Sequence, residues 1–283
     1  MRLTGQCLAI YWLLLALISS GCAQMKLPVA SLTAGCLLVA VIGAGCANLP
    51  QSEDPLARFS ESQLIDLGEK YLAAGDTGQA LRYLVSVEQR SPNDPVIHYD
   101  LGLAYHARAL PDKAEEHFLK AIELKPDYAE AQNAVGVLYA QQGRLDQALR
   151  YFEQALENPF YRTPQYIYYN MGRIYEQQHD LEKALGYYRR AVRIRANYTP
   201  ALYQSGKVLE AMKRNDEALQ AYAETVHYNP DLVDAQFDYG RLCLAAGRRN
   251  EAVDAFQRVI DLAPRTKLAE EAARYLKSAA RAR

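Results

Sequence analysis

Two cysteines stand where chemistry could be done on a thiol. "SSGC", residues 19–22, and "GAGC", residues 43–46, each set small residues directly before a cysteine at the end of an apolar run. Small residues before a cut site are what an exported chain presents to its peptidase. The other thiols offer less. Cys7 and Cys36 lie inside the same apolar region, and Cys243 takes a position that Tyr or Leu holds in otherwise similar segments. It reads as a small packing residue, not a nucleophile, and as the single cysteine beyond residue 46 it leaves no intramolecular disulfide in the body. His98, His106, His117, His179 and His227 are scattered with no metal-ligand spacing, so no metal is expected. No phosphate-binding glycine loop and no nucleophile elbow occurs. The expectation is a non-catalytic chain with no cofactor and no small-molecule substrate.

Residues 1–45 carry only Arg2 and Lys26 as charges and no acid. Read from Met1, Arg2 begins a signal whose apolar stretch is "LAIYWLLLALI"; read from Met25, Lys26 begins one with "LLVAVI". Both cysteine segments resemble the bacterial lipobox. In that family the cysteine becomes the first mature residue and its thiol is diacylated, and two or more acyl chains hold a protein firmly to a bilayer. Lipidation is expected on Cys46, with Cys22 as the alternative, because acylating Cys22 would leave the apolar run 27–45 without a use. Translation from Met25 is the simplest account. A plain membrane span over 27–45 is the competing reading, interrupted by Pro28 and followed by no basic cluster; a cleaved signal without lipid is another. Residues 46–60 then form a polar tether.

What the anchor carries is repetitive. Gly68, Gly102, Gly136, Gly172, Gly206 and Gly240 are spaced by 34, 34, 36, 34 and 34 residues. Twelve residues after each comes Ala80, Ala114, Ala148, Ala184, Ala218 or Ala252, and four further on Leu84, Phe118, Phe152, Tyr188, Tyr222 or Phe256. This matches the tetratricopeptide pattern of 34-residue helix–turn–helix units. The expected fold is all-α: a right-handed superhelical solenoid of six repeats (61–94, 95–128, 129–162, 165–198, 199–232 and 233–266) and a capping helix over 267–283. Small residues belong where two helices cross closely, and the large ones are expected to fill the gap between neighbouring pairs. Gly75, Gly143 and Gly247 fall at first-helix ends, where a left-handed residue is wanted. Asn93, Asp127 and Asp231, each after a closing proline, are expected to cap the next helix. In the last helix Leu268, Ala272 and Leu276 are expected to cover the open edge, as a solenoid requires.

First helices of such arrays line a concave face. One inward row reads Ile65, Tyr99, Asn133, Tyr169, Tyr203, Phe237 and the next Glu69, Leu103, Val137, Arg173, Lys207, Arg241. The early groove is then apolar, and the later groove aromatic and basic; aromatic and Arg side chains are common interface anchors. The opposing possibility is that Arg173 and Lys207 pair with Glu176 and Glu210 along the same helix, leaving the groove neutral. The aromatic row is expected to be free of packing duties. The whole chain's net charge is −1, and beyond the leader 30 bases face 33 acids, which argues against nucleic acid.

Between the third and fourth units lies "ALENPFYRTPQYIYYNMG", two residues longer than the other junctions. With the preceding "VGVLYAQQGRLDQALRYFEQAL" it resembles the type IV pilus pilotin lipoproteins of the PilF/PilW/Tgl type, which also have six repeats. The resemblance implies a lipid-anchored protein on the periplasmic face of the outer membrane that binds secretin subunits and promotes their assembly into the pilus channel. It implies docking through the early groove, here Ile65, Leu72, Tyr99 and Leu103. Ala47, next to Cys46, is not the aspartate that holds lipoproteins in the inner membrane. An adaptor for another envelope complex, such as a peptidoglycan hydrolase or a polysaccharide exporter, is the alternative.

Overall fold

The computed structural model describes residues 55–281; the leader, Cys22 and Cys46 lie outside them. Among the described residues there are thirteen helices and no strand. They are α1 (Glu61–Ala73), α2 (Thr77–Arg90), α3 (Pro95–Ala107), α4 (Pro111–Leu124), α5 (Ala129–Gln141), α6 (Leu145–Glu157), α7 (Pro164–Gln177), α8 (Leu181–Ile194), α9 (Thr199–Ala211), α10 (Asn215–Tyr228), α11 (Val233–Ala245), α12 (Arg249–Leu262) and α13 (Lys267–Arg281). Successive helices pair into six antiparallel hairpins that stack in chain order, the tetratricopeptide solenoid, and α13 closes its end.

The repeated glycine sets the distance within each hairpin. A Cβ placed on Gly102 would lie 2.4 Å from Phe118, and one on Gly206 2.4 Å from Tyr222. The large residue of each unit therefore packs on its own unit's glycine. All six large residues are buried. Where the ring is a tyrosine its hydroxyl still finds an acceptor: Tyr188 donates to Glu176 Oε2 at 2.6 Å and Tyr222 to Glu210 Oε2 at 3.4 Å. At the far end, Leu268, Ala272 and Leu276 of α13 lie on the last core cluster. Tyr275 adds a ring stacked on Phe256 at 5.0 Å, a contact the apolar pattern alone does not show.

The first helix of every hairpin ends in a left-handed residue. Gly75, Gly143 and Gly247 hold φ of +77°, while Ala109, His179 and Lys213 hold the same place in the other units at 55°, 60° and 60°. Side chains with a Cβ adopt this conformation at a cost of about 1–2 kcal/mol. Glycine relieves it but loses more entropy on folding. Ala109→Gly and Lys213→Gly are each expected to raise stability by about 0.5–1 kcal/mol in urea titration; a lower midpoint for both would show that the strain is absorbed elsewhere.

The expected caps are displaced. Asp94, not Asn93, caps α3, its carboxylate accepting from the Val96 N–H at 2.8 Å. Tyr128 and Leu232 occupy the cap positions of α5 and α11 with no side-chain cap bond, so Asp127 and Asp231 sit one residue too early. These junctions are held instead from inside the helix. Gln132 Nε2 and Gln236 Nε2 each donate back to a proline carbonyl, of Pro126 and Pro230, at 2.8 Å. A side chain four residues into the helix thus secures the turn before it.

Candidate functional site

The first inward row does not stand clear of the solenoid. Tyr99 packs between Phe118 at 6.0 Å and Tyr128, the residue that leads into α5, at 5.3 Å. Tyr169 sits likewise against Tyr188 at 5.8 Å and Tyr198 at 5.7 Å. Tyr203 lies 5.7 Å from Tyr222, and its hydroxyl donates to Asp238 Oδ2 at 2.9 Å; Phe237, itself buried, lies 5.8 Å from Phe256. The expectation that this row is free of packing duties is therefore wrong. Each ring wedges the hairpin's own aromatic against the following unit, and its outer part forms the groove floor. Ile65 and Asn133 complete the row, half-buried, and Asn133 Oδ1 has no hydrogen-bond partner among the described residues.

The charges of the second row part company. Arg241 is held by Glu210, Nη1 to Oε1 at 2.6 Å, and by Asp238, Nη2 to Oδ1 at 3.3 Å. Glu210 thus pairs across the repeat boundary and not with Lys207. Lys207 is exposed, its Nζ 5.9 Å from the Tyr203 ring centroid. Arg173 is exposed, and Glu176, its supposed helical partner, accepts from Tyr188 instead. Among the described residues Arg173 has no ion pair. The later groove keeps the charges of Arg173 and Lys207 available and neutralises that of Arg241.

The early groove presents Ile65, Leu72, Tyr99 and Leu103, all half-buried. It is less apolar than its sequence suggests. Asp100, beside Tyr99, is buried with Oδ2 unpartnered. Burial first, then the negative charges of Glu69 and Asp94, push its carboxyl from 3.8 up to about 7. Burial and the same acid push the Tyr99 hydroxyl up to about 12, so it is a neutral donor at ordinary pH.

The long junction between α6 and α7 is an ordered turn. Asn158 Nδ2 donates to the Asp127 carbonyl at 2.9 Å, tying the end of the third repeat to the turn that precedes it. The Phe160 N–H donates to Asn158 Oδ1 at 2.9 Å, and Pro164 opens α7. Tyr161 turns inward onto the core while Phe160 remains 87% exposed. Asn and Pro serve here as turn residues, and Phe160 is left projecting as a large apolar side chain.

Chemistry-bearing residues are otherwise sparse. Cys243 is 0% exposed, and burial pushes its thiol up, as a packing residue requires. The histidines are a different matter. Their sequence spacing shows no metal-ligand pattern, yet the fold brings His98 of α3, His117 of α4 and Glu88 of α2 together. They were missed because the three come from two repeats, and only the stacking register places them face to face. No helix among the described residues is long and apolar enough to cross a membrane.

Two tetratricopeptide repeat models match, one over residues 94–158 and the other over residues 134–199 and 203–265; neither is of a catalytic family. The solved structure of Pseudomonas aeruginosa PilF is 20% identical, with a TM-score of 0.68 over 76% of this chain and 97% of that one. PilW, described as a widely conserved type IV pilus biogenesis factor, is 21% identical, with a TM-score of 0.66 over 75% of this chain and 98% of that one. At such identities the likeness is one of fold. Among curated proteins, DnaJ homolog subfamily C member 3 of Bos taurus is 31% identical over 94 residues, 33% of this chain; the match spans only 19% of that relative. The glycine-on-aromatic hairpins, the left-handed turns and the family matches agree: the chain belongs to the tetratricopeptide repeat family.

Proposed function

We propose that this chain is a non-catalytic, lipid-anchored repeat protein on the periplasmic face of the outer membrane. It binds secretin subunits and promotes their assembly in type IV pilus biogenesis. The observation that carries the reading is the extent of the likeness to PilF and PilW, which takes in 97% and 98% of those chains. The matched region also takes in 76% and 75% of this chain, with TM-scores of 0.68 and 0.66. The Asn158–Pro164 junction resembles the pilotin junction and supports the same reading. In this account Cys46 carries the acyl chains. The client docks on Ile65, Leu72, Tyr99 and Leu103, with Asn133, Tyr169, Arg173, Tyr203, Lys207, Phe237 and Arg241 continuing the groove. No nucleic acid takes part.

Deleting the gene and blotting for heat-stable secretin multimers tests it. The multimers are expected to fall away and to return on complementation; unchanged multimers would sink the secretin client and leave an adaptor for another envelope complex. Cys46→Ala is expected to abolish acyl labelling while Cys22→Ala keeps it. The reverse pattern would move the anchor to Cys22.

A further inference from the structure

We propose that Glu88, His98 and His117 form a binding site for a zinc-like divalent transition-metal ion at the junction of the first and second repeats. The site lies apart from the groove residues assigned to the client. His98 Nδ1 is 3.2 Å from His117 Nδ1, and Glu88 Oε1 is 3.6 Å from the first and 3.7 Å from the second. Three donors on a tetrahedral ion with bonds of about 2.0–2.2 Å are separated by roughly 3.3–3.5 Å. The triangle already has the size of one face of that tetrahedron.

The donors are also aimed and held. His98 Nε2 lies 2.9 Å from the Pro92 carbonyl oxygen, which can only accept, so Nε2 carries the hydrogen and Nδ1 presents its lone pair. A ring nitrogen bonded to a backbone carbonyl while the other faces the ion is how metal-binding histidines are commonly oriented. His117 is clamped between two rings, His98 at 5.5 Å and Tyr105 at 5.1 Å. Without metal, its Nδ1–H donates to His98 Nδ1. Taking the ion requires that proton to pass to solvent and Nε2 to take one up, so the ring changes tautomer with no net proton lost. The fourth position opens into a pocket of about 490 Å³ that Glu116 and Glu123 also line. Two nitrogens and a carboxylate favour zinc and its neighbours over calcium or magnesium, which prefer all-oxygen shells.

The test uses the full chain in detergent with its accessible thiols alkylated, titrated with zinc chloride against a chromophoric chelator. The wild type is expected to take up one Zn2+ more than His117→Gln, and cobalt substitution to give an intense tetrahedral absorption that the variant lacks. Glu88→Gln, which preserves size, is expected to weaken zinc by at least the 10–100-fold that outer partners alone cost. His227→Gln, at an exposed histidine, is expected to bind as the wild type does. Circular dichroism establishes that each variant is folded. Equal zinc uptake by wild type, His117→Gln and Glu88→Gln would overturn the site, as would a cobalt spectrum without the tetrahedral band.

Discussion

Gly102→Ala is expected to destabilise the protein, although alanine is the better helix former. In an open helix interior the substitution gains about 1 kcal/mol. At Gly102 the new methyl would lie 2.4 Å from Cδ1 and 2.5 Å from Cε1 of Phe118, far inside contact distance. The ring cannot swing away freely, because Tyr99 packs on it. Overpacking of this kind costs about 1–3 kcal/mol, which outweighs the propensity gain over most of that range and leaves a net loss of about 0–2 kcal/mol. Gly186, in the middle of α8, has nothing within 4 Å of its added Cβ. Gly186→Ala should therefore stabilise by about 0.5–1 kcal/mol. Gly240→Ala should fall between them, since its methyl would meet Phe256 only at 3.0 Å. Chemical denaturation of the three variants gives the order directly. If Gly102→Ala raised the midpoint as Gly186→Ala does, the glycine would not be setting the approach of α3 and α4.

The same glycines explain why the fold was legible. A residue without a side chain every 34 residues, with an alanine and a large apolar residue at fixed distances behind it, is a geometric constraint repeated six times. Interactions within one hairpin recur and so leave a periodic trace. What was misread depends on neighbours. Tyr99 and Tyr169 appeared free because their covering rings, Tyr128 and Tyr198, stand about thirty residues on, at the turns that lead into α5 and α9. Helical spacing offered Lys207 as one possible partner of Glu210; Arg241 reaches it from the following repeat instead. Asn93 and Asp127 looked like caps because the residue type was right; the turn after each proline runs one residue longer than supposed. The histidine–glutamate cluster draws on two hairpins and has no local signature at all. Contacts within a repeat were readable, and contacts between repeats, which shape the groove, required the stacked structure.

The pH dependence of stability should carry the mark of one such inter-repeat environment, that of Asp100. Its carboxyl titrates near 7 in the folded protein against an ordinary value of 3.8, for burial first and then the acids Glu69 of α1 and Asp94 at the start of α3. Between those two values the native state holds a proton that the unfolded chain has released. Stability therefore falls as pH rises through that window and levels off above about 7. Three pH units would correspond to about 4 kcal/mol as an upper limit. Glu69 is exposed and screened by solvent, so about 2 kcal/mol is the more realistic size. Asparagine has the same shape and no charge to desolvate. Asp100→Asn is thus expected to unfold at higher urea than the wild type at pH 8, by about 1–2 kcal/mol, and to differ by less at pH 5. The other ionisable groups are common to both proteins and drop out of the difference. A wild-type-minus-variant difference that stays constant from pH 5 to pH 8 would mean that Asp100 is ionised throughout and finds solvent. A difference that grows with pH would place an uncompensated acid on the floor of the early groove. There, a client presenting a hydrogen-bond donor or a cation beside Tyr99 would bind more tightly at pH 8 than at pH 5.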